Sequence, residues 1–176
     1  MRSDRYLVLA LAIIGLGACG KEIGDACIVS SDCSPNGDRL CLSGGNEQDG
    51  YCTIQGCDYN TCPQEAACIR FFTGDFENRP CDPDCEDDTN PTACAAHGGA
   101  PTNDCSLDEL CSLEGHCVPR SSEVRYCMKK CGSNGDCRDG YECRQFPYND
   151  GGQPVLAPGV PIDSDAPKFC ATAPSS

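Results

Sequence analysis

The longest apolar run of the chain lies near its N-terminus, where residues 7–18 read LVLALAIIGLGA and follow a segment that contains Arg2 and Arg5. A basic segment followed by about twelve apolar residues is typical of an export signal. About twelve helical residues span only ~18 Å, which is well short of the ~30 Å hydrocarbon core of a bilayer. The pattern therefore predicts a cleaved signal peptide over residues 1–18 rather than a membrane-spanning helix.

Beyond residue 19 the apolar positions form only short runs, which are separated by turn-forming residues. Tyr51–Ile54 and Glu123–Met128 are predicted as strands of small hairpins. Pro63–Ile69 is predicted as one or two helical turns, since a Pro stands early in it. Residues 145–176 contain six prolines and are predicted as an irregular loop. The expected fold is mostly coil, with short β-hairpins and little helix.

Cysteine content is the feature of the composition that adds most to this prediction. The 176 residues include 19 Cys but no Trp, 5 Phe and 6 Tyr. So few aromatic residues cannot build a large core, and this cysteine content is typical of a small exported protein stabilised by disulfides. We expect every cysteine except Cys19 to be disulfide-bonded, with the pairing left open because spacing does not determine it. These are Cys27, Cys33, Cys41, Cys52, Cys57, Cys62, Cys68, Cys81, Cys85, Cys94, Cys105, Cys111, Cys117, Cys127, Cys131, Cys137, Cys143 and Cys170.

The cysteine spacing indicates a duplication. Residues 27–68 and 105–143 each contain seven cysteines at similar intervals, and Tyr51-Cys52 matches Tyr126-Cys127. Seven is odd, but three further cysteines follow the first block and one follows the second. Both totals then become even, so all disulfides can close within their own block. This parity supports two tandem cysteine-rich modules, over residues 27–98 and over residues 103–176, the second of which includes the Pro-rich C-terminal loop.

The residues at the predicted cleavage site specify the export signal further. Leu16-Gly17-Ala18-Cys19 resembles the lipobox of bacterial lipoproteins, in which the cysteine thiol receives a diacylglycerol and the new amino group receives an acyl chain such as palmitate. An ordinary signal peptide is the alternative, although Leu16 suits its small-residue cleavage site poorly. The resemblance implies lipidation at Cys19 and a short tether over residues 19–26. Because Gly20 rather than Asp follows the cysteine, it also implies the outer membrane.

An acidic run over residues 75–88 is the strongest local charge feature. Within it Asp82, Asp84 and Glu86 alternate, and clustered carboxylates are the ligands that calcium prefers. An EF-hand loop that began at Asp82 would need Gly and Glu where the chain has Asp87 and Ala93. A solvated acidic loop and a weak calcium site therefore both remain open. No two cysteines have the two-residue spacing of zinc or iron–sulfur sites, so we expect no other metal or cofactor besides the covalent lipid.

Charge and motifs argue against two broad function classes. A formal net charge of −14 repels nucleic acid. No nucleophile elbow, zinc-protease motif or phosphate loop is present, so we expect no enzymatic activity. The aromatic cluster of Phe71, Phe72 and Phe76 is interpreted either as a small core or as an exposed contact patch.

The whole chain resembles the cysteine-rich outer-membrane lipoproteins of gliding and predatory deltaproteobacteria. The lipobox, Gly24-Asp25-x-Cys27 with Ser31-Asp32-Cys33, and Asp136-Cys137-Arg138-x-Gly140-Tyr141-x-Cys143 carry the resemblance. It implies a lipid-anchored, non-enzymatic component of an envelope assembly, with a protein partner, that serves gliding motility or adhesion. The alternative is a stand-alone ligand- or calcium-binding surface module that uses residues 75–88.

Overall fold

The computed structural model describes residues 20–43, 50–74, 79–83, 85, 104–145, 152–157 and 166–173. The predicted fold class is confirmed, because the described chain consists of short antiparallel strands, little helix and many disulfides. Its elements are β1 (Ala26–Cys27), α1 (Ser30–Cys33), β2 (Leu40–Leu42), β3 (Gly50–Thr53), β4 (Ala66–Phe72), β5 (Glu109–Cys111), β6 (Cys117–Pro119), β7 (Glu123–Lys129), β8 (Tyr141–Arg144), β9 (Gln153–Pro154) and β10 (Phe169–Thr172), with 3-10 turns at Arg120–Ser122 and Asn134–Asp136. The strands form four small sheets, in the orders β1-β3-β2, β7-β4-β9, β5-β6 and β8-β10.

Eight disulfides lie within the described residues, and they form four crossed pairs. In each pair, four cysteines taken in chain order are joined first to third and second to fourth. We call these groups unit 1 (Cys27, Cys33, Cys41, Cys52), unit 2 (Cys57, Cys62, Cys68, Cys127), unit 3 (Cys81, Cys105, Cys111, Cys117) and unit 4 (Cys131, Cys137, Cys143, Cys170). Each crossed pair therefore closes two overlapping loops of the chain.

The four units also share one strand register. In every unit the third and fourth cysteines stand directly opposite each other in an antiparallel strand pair: β2–β3 in unit 1, β4–β7 in unit 2, β5–β6 in unit 3 and β8–β10 in unit 4. The residue before the fourth cysteine is aromatic or His, namely Tyr51, Tyr126, His116 and Phe169. The described part of the chain thus contains four copies of one disulfide-crossed hairpin.

Two disulfides join the two segments that the cysteine parity allowed to close separately. Cys62–Cys127 and Cys81–Cys111 both join the chain before residue 98 to the chain after residue 103. The reason is that unit 3 is nested between the third and fourth cysteines of unit 2, so that β4 and β7 pair across it. Even parity in each block permitted separate modules but did not require them.

Two local predictions also need correction. The segment Pro63–Ile69 does not form helical turns, because the chain enters β4 at Ala66 and pairs with β7 in seven consecutive register positions. Residues 20–26, expected to be a tether, are packed on unit 1: Ile23 is fully buried and the Gly24 N–H donates to the Cys52 carbonyl at 2.9 Å. The strands predicted at Tyr51–Ile54 and Glu123–Met128 are present as β3 and β7.

One hydrophobic core joins three of the units. Ile23 and Tyr51 from unit 1, Ile69 and Met128 from unit 2 and Phe169 from unit 4 pack together in it. Several disulfide cysteines, such as Cys68 and Cys127, are also buried in this core. Their disulfides add stability that a core with so few aromatic residues would not supply alone. Units 1, 2 and 4 therefore form one body around β4 and β7.

Units 1 and 4 each contain an equivalent set of hydrogen bonds between an Asp and the preceding loop. In unit 1 the Asp32 carboxylate accepts the backbone N–H groups of Ile28 and Val29 at 2.8 and 3.1 Å. In unit 4 Asp136 accepts those of Gly132 and Ser133 at 2.8 and 2.9 Å. These bonds stabilise the ionised form, so the pKa of each carboxyl lies below its usual value.

Candidate functional site

The floor of the candidate site is one face of the β4–β7 strand pair. Val124, Tyr126 and Met128 alternate along β7, and this two-residue period places their side chains on the same face. Phe71 stands opposite Val124 in β4, and its ring lies 6.2 Å from that of Tyr126. The result is a continuous apolar surface at the centre of the molecule.

Units 1 and 4 supply the walls, and together with the floor they enclose a groove of about 540 Å³. Leu42 and Tyr51 come from unit 1, whereas Tyr141 and Ala171 come from unit 4. The full set of described lining residues is Leu42, Ser43, Tyr51, Phe71, Phe72, Thr73, Val124, Tyr126, Met128, Tyr141, Arg144, Ala171 and Thr172. We call this the aromatic groove.

The aromatic groove is nearly neutral. Arg144 is the only charged side chain among its described lining residues, and its guanidinium donates to the Glu142 carboxylate at 2.8 Å and to the Thr172 carbonyl at 2.8 Å. The charge is thus already engaged within unit 4. The groove suits an apolar or aromatic group better than an ion.

A stacked tyrosine pair holds the two walls together. The rings of Tyr51 and Tyr141 lie 5.2 Å apart, and the Arg138 guanidinium lies 4.4 Å from the Tyr141 ring and 5.7 Å from the Tyr51 ring. Cation–π contacts of this kind stabilise by ~0.5–2 kcal/mol. The contact thus links unit 4 to unit 1 through side chains alone.

Tyr51 is fixed further by its hydroxyl group, which accepts the Lys129 backbone N–H at 2.8 Å. Burial raises the pKa of Tyr51 to about 12, since the phenolate would lose its hydration. Tyr51 and Tyr141 also line a second cavity of about 180 Å³, together with Asp25, Lys129 and Arg138. This smaller cavity is more polar than the aromatic groove.

The predicted site residues are only partly within the described chain. Cys19, the expected lipidation site, lies outside it, as do Cys94, Asp84 and Glu86. Asp82 is described, and its carbonyl accepts the Cys85 N–H at 3.0 Å. The calcium site and the lipid on Cys19 therefore stay predictions.

The sulfur atoms of each unit are close enough to suggest a metal cluster, with three of them within 4.8 Å of one another. However, every described cysteine is disulfide-bonded. Metals such as zinc bind thiolates, so a disulfide sulfur does not offer the required ligand. We interpret these groups as the crossing points of the disulfide pairs.

The aromatic groove was not predicted from the sequence, although two signals pointed to it. Phe71 and Phe72 were interpreted as a core or a contact patch, and the structure places Phe71 against the core while both rings line the groove. The alternation of Val124, Tyr126 and Met128 indicated a strand with one apolar face. The walls could not be predicted, since they come from distant parts of the chain.

The chain matches no protein-family model, no curated protein and no solved structure. Among the described residues, no helix is long and apolar enough to cross a membrane.

Proposed function

We propose that this chain is a non-enzymatic, lipid-anchored outer-membrane lipoprotein that acts as a structural or recognition component of an envelope assembly, in gliding motility or adhesion. The single observation that carries the recognition role is the aromatic groove, which is formed jointly by units 1, 2 and 4. The lipobox-like segment that ends at Cys19 supports the anchor.

The groove has the properties of a protein-recognition surface. Tyr and Phe dominate its lining, and buried aromatic side chains contribute much of the binding energy at protein interfaces. Crossed disulfides behind each wall restrict its motion, so less conformational entropy is lost on binding. We expect the occupant to be an apolar segment of an envelope protein, with at least one aliphatic or aromatic side chain in the groove.

Photo-crosslinking in intact cells tests the recognition role. Phe72 is replaced by p-benzoylphenylalanine, a close analogue that places the photoreactive group in the groove. The matched control carries the same residue at Tyr59, which is also aromatic and also in unit 2 but is 44% exposed and not part of the groove lining. We expect one envelope protein to crosslink from Phe72 and not from Tyr59. Crosslinks only to abundant porins, or equal yields from both sites, contradict the proposal.

The anchor is tested separately. Metabolic labelling with palmitate and fractionation of the envelope compare the wild-type chain with Cys19→Ser. We expect label and outer-membrane recovery for the wild type and loss of both in the variant, since acyl chains bury many methylene groups at about 0.8 kcal/mol each. A wild-type chain that takes up no label contradicts the lipid anchor. It does not affect the recognition role of the aromatic groove, which the crosslinking experiment tests separately.

A further inference from the structure

Two exposed aliphatic residues lie at the tip of unit 1. Ile28 is 83% exposed and Val29 is 52% exposed, directly before α1. Their backbone N–H groups donate to the Asp32 carboxylate, so the polar N–H groups of the two residues are satisfied while their apolar side chains are exposed. We call this pair the aliphatic tip.

Unit 4 shows that the fold does not need aliphatic residues at these positions. The corresponding loop has the same Asp contacts and the same position before a short helical turn, but it carries Gly132 and Ser133. Ile28 and Val29 are therefore placed on a hairpin that works equally well with small polar residues. Two adjacent exposed aliphatic side chains, in a loop whose counterpart in unit 4 lacks them, are candidates for a contact outside the molecule, unlike a single exposed residue such as Leu107.

The position of Gly20, the first described residue, indicates which contact this is. A Cβ atom added to Gly20 would lie 2.7 Å from the Cys33 carbonyl oxygen, so the first described residue is packed against the end of α1. Cys19 is one Cα–Cα step of about 3.8 Å before Gly20, and a four-residue helix spans only ~6 Å. Gly20, to which the predicted lipidation site Cys19 is directly bonded in the sequence, therefore lies within roughly 20 Å of the aliphatic tip.

The described chain is packed on unit 1 from Gly20 onward. Ile23 is fully buried, and Gly24 is hydrogen-bonded to Cys52. A lipid on Cys19 then brings the surface around Gly20 to the membrane, and the basic side chain of Lys21 lies on the same segment, where its ammonium group donates to the Ala26 carbonyl at 2.7 Å. The described surface of this segment carries Lys21 together with the acidic Glu22 and Asp25, so the two exposed aliphatic residues, and not the charge, favour a contact with lipid.

We propose that the aliphatic tip, Ile28 and Val29, inserts into the membrane leaflet that holds the lipid on Cys19 and fixes the orientation of the protein on the bilayer. This inference rests on the proposed lipid anchor. The occupant is the lipid surface itself, and unit 4 lacks the equivalent contact because its loop carries Gly132 and Ser133. A fixed orientation determines which way the aromatic groove faces.

Depth-dependent quenching of a single tryptophan tests the proposal, because the chain has no Trp of its own. The acylated full chain carrying Val29→Trp is reconstituted into phosphatidylethanolamine–phosphatidylglycerol vesicles that contain a brominated phosphatidylcholine. Ser133→Trp is the matched control at the equivalent position of unit 4, and Leu107→Trp is a second control at a 97% exposed aliphatic position of unit 3. Ile28→Trp provides a second reporter in the tip.

We expect the emission of the two tip reporters to shift to shorter wavelength and to lose most of its intensity with brominated lipid, whereas both controls stay unquenched. The proposal is overturned if the protein stays on the vesicles but its tip reporters are unquenched, or are quenched no more than the controls. It is also overturned if the tip reporters become shielded from water only when a partner protein is added. Protein that fails to stay on the vesicles contradicts the lipid anchor instead, so the two failures are distinguishable.

Discussion

Units 1 and 4 have the same local structure although their sequences differ. Both have the crossed disulfide pair, the same register between third and fourth cysteines and an Asp that binds two backbone N–H groups of the preceding loop. Both also bind the N–H of the third cysteine with a side chain at the start of the helical turn: Ser30 Oγ binds Cys41 at 3.1 Å, and Asn134 Oδ1 binds Cys143 at 2.9 Å. These shared contacts define what the hairpin requires.

Their differences show which positions are free to take other roles. The loop tip carries Ile28 and Val29 in unit 1 but Gly132 and Ser133 in unit 4. The fourth cysteine follows the third after 11 positions in unit 1 and after 27 positions in unit 4. The disulfides and the Asp contacts therefore hold the hairpin, while loop length and surface side chains vary with function.

Removal of the second-to-fourth disulfide has the largest expected effect. Cys33–Cys52 closes 19 residues and Cys137–Cys170 closes 33. Loop-closure entropy predicts a loss of about 3 kcal/mol for Cys33→Ala/Cys52→Ala and about 4 kcal/mol for Cys137→Ala/Cys170→Ala. Urea unfolding followed by circular dichroism measures both. The reverse order would show that packing of the buried sulfur atoms in unit 1 outweighs chain entropy.

The fold class could be predicted from the sequence because a disulfide-rich fold is evident from the amino-acid composition. High cysteine content, few aromatic residues and alternating strands such as Glu123–Met128 all indicate a disulfide-rich β protein. Which cysteines pair was not predictable, since spacing does not reveal that unit 3 is inserted between Cys68 and Cys127. The match between Tyr51-Cys52 and Tyr126-Cys127 corresponds to the same register position in unit 1 and unit 2.

Local propensity also failed where long-range pairing decides the structure. Ala66 and Ala67 favour helix, yet they lie in β4 because this strand pairs with β7 some sixty residues later. The aromatic groove depends on the same pairing, together with walls from units 1 and 4. The candidate site therefore could not be assembled from the sequence before the pairing was known.

The second prediction concerns the residue two positions before the fourth cysteine. In unit 1 this is the buried Gly50, where an added Cβ would overlap the Cys41 sulfur and lie 3.0 Å from the Cys27 carbonyl oxygen. In unit 4 it is the exposed Lys168. We expect Gly50→Ala to destabilise by about 1–3 kcal/mol through overpacking, and Lys168→Ala to change stability by less than about 0.5 kcal/mol. Equal effects in thermal unfolding would contradict this difference between the units.

The third prediction exchanges the residues that precede the fourth cysteine. Tyr51→Phe removes the acceptor of the Lys129 N–H and should cost about 1 kcal/mol. Phe169→Tyr adds a hydroxyl to a side chain that is only 2% exposed, and should cost about 1–3 kcal/mol. Urea unfolding at neutral pH measures both variants. A neutral result for either exchange would mean that the two positions tolerate the same residue.

Tyr51 also gives an alkaline signature. Its pKa is raised to about 12, so between about pH 10 and 12 the unfolded tyrosine ionises while the folded one stays protonated. Stability from this group is therefore complete below about pH 10 and is lost as pH rises toward 12. Tyr51→Phe should lose less stability than the wild type between about pH 10 and pH 12, whereas Phe169→Ala, which retains Tyr51, should keep the wild-type pH dependence.

The smallest expected effect tests the contact that units 1 and 4 share. The pKa values of Asp32 and Asp136 are lowered chiefly by the two backbone N–H groups that each carboxylate accepts. As pH falls, these carboxyls are therefore protonated in the unfolded chain before they are protonated in the folded one. Their contribution to the free energy of unfolding is present above about pH 4 and decreases below it. Asp32→Asn and Asp136→Asn keep an acceptor oxygen but not its charge, and each should remove a similar part of the acid-induced loss. Unfolding midpoints between about pH 6 and pH 2, with the exposed Asp139→Asn as control, measure this. Unequal changes for the two variants would show that the two aspartates are not equivalent.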